Sequence, residues 1–258
     1  MRSKMRNTLL VASSVLIAGA SMVLATRLFS SSTSNANRPA DQKLTGVSLV
    51  TVLQAHNGHR HNEWPRFTQK GTLTYYPDIS AGSQSDFERK LTLSMDGSLV
   101  RYDKTTLNRT QSYLLAGRTV VRTTIDGKTP VEARVIDGVE AASIKFQIAT
   151  FGLLPILRRL SEPSTQVIYV GATSKGNRFQ VKTAGGSWCF YTNSNDLIDR
   201  LEINDINITY GDYRTVDGVK LPVYQQVKKG DKLLYEIKFE ALDLNPVFTV
   251  SFFKSDLL

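Results

Sequence analysis

VKLPVYQQVKKGDKLLYEIKFEA, residues 219–241, alternates between apolar and polar side chains with a period of two. Val219, Leu221, Val223 and Val227 share one face before Gly230-Asp231. Leu233, Tyr235, Ile237, Phe239 and Ala241 share one face after it. Successive side chains of a strand point to opposite sides, so each half predicts an antiparallel strand with one buried and one wet face. Gly-Asp between them supplies the positive-φ residues of a tight hairpin.

The same rhythm extends outward. Leu197, Leu201 and Ile203 form one face of 197–203, and Phe179 and Val181 one face of 178–184. In 87–95 the phase carrying Phe87, Leu91, Leu93 and Met95 also carries Arg89. Turn dipeptides punctuate the runs: Asp96-Gly97, Asp126-Gly127, Gly176-Asn177, Gly185-Gly186 and Asp217-Gly218. Strands joined by tight turns are neighbours in space, which predicts a meander and not parallel crossover units. The tail 248–253 alternates weakly and reads as a last strand or a docked segment.

Two segments leave this rhythm. Residues 44–57 place Leu44, Val47, Val50 and Leu53 on one stripe, which predicts an amphipathic helix. Residues 138–160, GVEAASIKFQIATFGLLPILRRL, are nearly all apolar but carry Gly152 and Pro155. Pro155 ends or kinks a helix, so the segment predicts two short helices with an apolar connector. Lys145, Arg158 and Arg159 argue against a membrane span. An apolar insert between two groups of strands needs an apolar surface to cover, and the inner face of the sheet is the natural one.

The chain has 258 residues, 41% of them hydrophobic, and a single Cys, Cys189. A disordered polymer, a multi-span membrane protein, an internal disulfide and a Cys-based zinc cluster are excluded. The net charge is +9, but residues 1–43 hold six cations and one acid. The remainder carries 26 cations against 22 acids, so nucleic acid is not an expected partner. Residues 1–25, with Arg2, Lys4 and Arg6 ahead of an apolar run to Ala25, read as a signal peptide or an uncleaved N-terminal membrane anchor. Residues 26–43 read as a flexible linker. The expected location of the rest is the periplasm, or the periplasmic side of the inner membrane if the leader stays as a single anchor.

The element order resembles the LolA/LolB-like lipoprotein-carrier superfamily. It runs leader, helix, strands, apolar helical insert, strand meander. The most specific stretch is Tyr210–Pro222, YGDYRTVDGVKLP, with support from 191–202 and from 237–246, IKFEALDLNP. The match is good over about residues 175–250 and rests on element order upstream. Lipoprotein carriers usually have an Arg-Pro near the second hairpin, where this chain reads Met95-Asp96-Gly97-Ser98. The resemblance therefore implies an apolar cavity without naming its cargo. It implies an α+β, mainly antiparallel fold over 44–258, a single half-barrel domain with an N-terminal helix and a mid-chain helical lid. It implies a non-enzymatic binder or carrier of lipid or lipidated protein, with an inner- or outer-membrane partner protein. The alternative is a membrane-tethered envelope sensor of the same fold.

The side chains expected to face such a ligand are Arg89, Leu91 and Leu93 on the strand, Phe146, Phe151, Leu153 and Leu154 in the insert, and Trp188. Arg89 reads as a headgroup anchor or as a rim residue whose stem packs while its head reaches water. No catalytic residue, metal or cofactor is expected, because no nucleophile, zinc-protease or phosphate-loop signature is present. His56, His59 and His61 have a spacing that could hold a metal. The favoured reading is a solvated helix C-terminus with Gly58 as the stop. Cys189 reads as an inert buried thiol, and Asp196, Asp199 and Glu202 as a solvated turn and rim.

Overall fold

The computed structural model describes residues 48–56, 66–76, 87–174, 176–183, 186–249 and 251–254. The expectations for the leader, the linker, the start of the 44–57 helix, His59, His61 and Gly185 lie outside the described residues.

Helix α1 spans Leu49–Ala55. The Ser48 hydroxyl caps it by accepting from the Thr51 N–H at 3.2 Å. Val50, placed on the apolar stripe by the sequence, is 57% exposed, whereas Val52 is buried. The buried face is Leu49, Val52, Leu53 and His56. That is the i, i+3, i+4, i+7 face of a 3.6-residue turn, which strict threefold spacing drifts away from.

Thirteen strands follow: β1 Arg66–Tyr75, β2 Phe87–Asp96, β3 Leu99–Thr106, β4 Arg109–Ala116, β5 Thr119–Asp126 and β6 Thr129–Ile136. The insert then forms α2, Gly138–Ala149, and α3, Leu154–Leu160. After it come β7 Gln166–Thr173, β8 Gly176–Thr183, β9 Gly186–Thr192, β10 Ile198–Ile203, β11 Ile206–Val216, β12 Val219–Lys229 and β13 Lys232–Asp243.

All thirteen belong to one open antiparallel sheet, ordered β6-β5-β4-β3-β2-β1-β13-β12-β11-β10-β9-β8-β7. The chain starts at the middle, walks to one edge, crosses over through α2 and α3, and walks back from the other edge until β13 pairs with β1. The insert is thus the only link between the two outer strands, and that places it across the sheet. Its buried side chains join the inner-face residues and Val52 of α1 in a single core cluster.

The hairpins follow the turn signals with small shifts. Asp217 (φ 48°) and Gly218 (φ 84°) form the two-residue connection of β11 and β12, the primed-turn geometry that Asp-Gly favours. Gly176-Asn177 is not a turn. Gly176 opens β8 and pairs with Thr173 of β7. The alternation of β13 does not run through to Ala241, which is exposed. Lys70 pairs with Ala241 and Gly71 with Phe239, so Glu240 is an extra residue that flips the phase. Glu240 accepts instead from Lys90 at 2.7 Å.

The tail is docked and not a strand. Phe248, Phe252 and Phe253 pack together with ring centroids 4.8–5.0 Å apart. Arg101 of β3 donates to the Phe252 carbonyl at 3.1 Å and lies over its ring. Arg101 is out of phase with the inward Val100 and Tyr102, so the tail covers the opposite face of the sheet.

Candidate functional site

The break between α2 and α3 is built from sequence upward. The two helices meet at 88°. Gly152 has φ 70°, a conformation side chains other than glycine rarely take. A Cβ there would also lie 2.7 Å from the Gln69 amide. Pro155 follows in the first turn of α3, so it starts a helix where the sequence suggested an end.

Polar side chains from the sheet hold this break. The Gly152 N–H donates to Gln225 Oε1 at 2.8 Å, and Gln225 Nε2 donates to the Thr150 carbonyl at 3.0 Å. The Tyr210 hydroxyl donates to the Gly152 carbonyl at 3.2 Å. Gln225 and Tyr210 come from β12 and β11 and are buried. A helix break frees backbone groups that need partners away from water, and these two side chains supply them. Gln225 sits at the polar gap in the Val219–Val227 alternation, the one signal that could have marked it.

Further contacts tie the insert to the sheet's turns and edge. Lys145 donates to the Arg118 carbonyl in the β4–β5 turn at 2.8 Å, and Arg158 to the Gly97 carbonyl in the β2–β3 turn at 2.8 Å. Glu140 accepts from Arg122 at 2.9 Å and from Arg134 at 2.8 Å.

The candidate ligand-facing residues gather as one group with one outlier. Leu91, Leu93, Phe146, Phe151, Leu153, Leu154 and Trp188 are buried in the same core cluster. Phe151 lies 5.3 Å from Phe239 and 5.7 Å from Tyr102, ring to ring. Trp188 stands 6.2 Å from Phe190, and its indole N–H has no hydrogen-bond partner among the described residues. Arg89 is half-buried, with its guanidinium 5.3 Å from the Tyr75 ring. A cleft beside the break, lined by Gln69, Leu221, Phe239 and Leu242 among others, has about 10 Å³, the room of one water. That cleft is too small for an acyl chain.

Lys104 of β3 is a residue the sequence reading missed. It is 9% exposed, with its ammonium 5.4 and 5.1 Å from the Tyr102 and Tyr113 ring centroids. Burial, with Arg89 adding to it and Glu140 opposing, pushes it down to about 7.

His56 corrects the expectation of a solvated helix end. It is fully buried. Its Nδ1 lies 2.8 Å from the Lys220 carbonyl, and its Nε2 accepts from the Ile198 N–H at 2.9 Å. The ring therefore carries its proton on Nδ1 and links α1 to β10 and β12. Burial lowers it to about 4. With both nitrogens engaged it has none left for a metal, and no metal-holding cluster occurs among the described residues.

Cys189 is half-buried and not a core thiol. Arg178 donates to its Sγ at 3.4 Å. Asp196 occupies its turn with φ 59°. Glu202 accepts from the Tyr191 hydroxyl at 2.5 Å and pairs with Arg200 at 3.6 Å.

No protein-family model and no curated protein matches this sequence. Solved structures do match. A LolA superfamily protein from Nitrosomonas europaea superposes with a TM-score of 0.55 at 10% identity, covering 83% of this chain and 100% of that one. A DUF1329 family protein from Desulfovibrio piger superposes with a TM-score of 0.54 at 8% identity, covering 81% and 98%. At such identities the likeness is one of architecture: this chain shares the fold of these two proteins.

Proposed function

We propose that the chain is an exported, non-enzymatic binder of acyl chains in the bacterial cell envelope. In this reading residues 44–258 form a half-barrel, and α2 and α3 are its lid. The ligand is a lipid or a lipidated protein, handed to or from a membrane partner protein. Leu91, Leu93, Phe146, Phe151, Leu153, Leu154 and Trp188 line the path of the acyl chain.

The observation that carries the reading is the latch at Gly152. An insert that served only as core could fill its connector with apolar side chains and continue its helix. This one is broken by a positive-φ glycine, and the broken backbone is satisfied from the sheet by Gln225 and Tyr210. Three hydrogen bonds of about 1 kcal/mol each oppose opening, an obstacle that ligand contacts can offset. The apolar faces separated on opening are covered again by an acyl chain. Burial contributes about 0.8 kcal/mol per CH₂ and needs no directional partner.

Native mass spectrometry of the full chain, followed by solvent extraction, tests the reading. The expected result is a bound species that extraction removes and that is identified as acyl lipid. A chain that carries no lipid and fails to bind added fatty acid overturns it.

A further inference from the structure

Arg89 and Lys104 are two basic side chains on the inner face of the sheet, and no carboxylate among the described residues is bonded to either. Lys104 pairs across the ladder with Leu91, and Arg89 lies two residues from Leu91 on β2, so the two are diagonal neighbours on one face. Arg89 Nε is buried without a hydrogen-bond partner. Glu140 is the acid whose field reaches Lys104. Its two oxygens accept from Arg122 and Arg134, and neither is bonded to Lys104.

A buried cation is costly unless an anion meets it. Aromatic faces supply part of the compensation. Tyr75 lies beneath Arg89, and Tyr102 and Tyr113 lie beneath Lys104. Those rings supply no formal negative charge to either group. The neighbouring surface is apolar: Tyr102 touches Lys104 on one side and Phe151 of the insert on the other. Apolar side chains therefore connect Lys104 to Phe151 beside the helix break.

We propose that Arg89 and Lys104 form a headgroup site for an oxyanion, carboxylate or phosphate, attached to an alkyl chain that lies beneath Phe151. The proposal rests on the acyl-binding reading and narrows its ligand to anionic amphiphiles. The planar fork of an Arg and the point charge of a Lys together match the oxygens of either headgroup.

The test is calorimetric titration of the full chain with dodecanoate, dodecyl phosphate, dodecanol, acetate and inorganic phosphate. The expected result is that one or both anionic amphiphiles bind about tenfold or more tighter than dodecanol, as charge-assisted contacts in a dry site would give. The tighter of the two identifies the headgroup chemistry. Acetate and inorganic phosphate do not saturate the chain. Lys104→Met narrows the preference over dodecanol to under about threefold. Equal affinity for dodecanol and both anions in the wild-type chain overturns the headgroup site and leaves acyl binding standing. Binding of none of the amphiphiles removes both. Binding of free acetate or phosphate as tightly as the amphiphiles overturns the alkyl part. A folded Lys104→Met chain that keeps the full preference excludes Lys104. If that variant does not fold, the wild-type comparison of anion with alcohol decides alone.

Discussion

The side-chain amide of Gln225 bridges the two backbone groups exposed where α2 ends, accepting from the Gly152 N–H and donating to the Thr150 carbonyl. Gln225→Leu keeps the volume and removes both bonds. A buried N–H and a buried carbonyl then lack partners, each costing about 1–3 kcal/mol. The expected result in urea unfolding is a loss of about 2–4 kcal/mol. Gly152→Ala destabilises as well, because φ 70° is unfavourable for alanine and its Cβ would strike the Gln69 amide.

His56 makes stability pH-dependent. Its folded value of about 4 lies below the unfolded 6.5, so the unfolded chain takes up the proton first as the pH falls. The contribution is complete above about pH 6.5 and is lost progressively down to about pH 4. The shift corresponds to about 3 kcal/mol. His56→Ala removes this dependence. It also lowers stability at neutral pH, because the Ile198 N–H and the Lys220 carbonyl lose their shared partner. Urea midpoints compared at about pH 7.5 and about pH 5 measure both effects.

Leu154 separates packing from covering. It is buried at the start of α3. Leu154→Ala costs about 2–5 kcal/mol if α3 unfolds only with the sheet. With the insert as a separable cover, Leu154→Glu leaves the sheet folded by circular dichroism and abolishes binding of a fluorescent fatty acid. Global unfolding of Leu154→Glu, or unchanged probe affinity, returns the segment to plain packing.

The strands that read clearly from sequence are those whose inner phase is uniformly apolar and whose outer phase is wet. In β8, Phe179 and Val181 show this, and in β10, Leu201 and Ile203 do. Others were hidden by their surroundings. β3 points Lys104 inward in phase with Val100 and Tyr102, which breaks the pattern. β4 buries Ser112, Tyr113, Leu114 and Leu115 in a row, so both of its faces are covered there and the alternation is erased. The same physics hid the buried polar groups. His56, Gln69, Gln225 and Lys104 are buried by tertiary contacts, and local periodicity reads a polar side chain as a wet one. Gly152 was legible as a break, but the side chains that satisfy it lie 73 residues away in the case of Gln225 and 58 in the case of Tyr210.

The claim that the insert opens apart from the sheet is tested most directly by amide hydrogen exchange of the full chain, with and without added dodecanoate. The account predicts that amides in 138–160 exchange through an opening of lower free energy than those of β1 and β13, and that dodecanoate changes exchange in the insert first. Exchange of insert and central strands in a single global opening, with no change on adding dodecanoate, would contradict it.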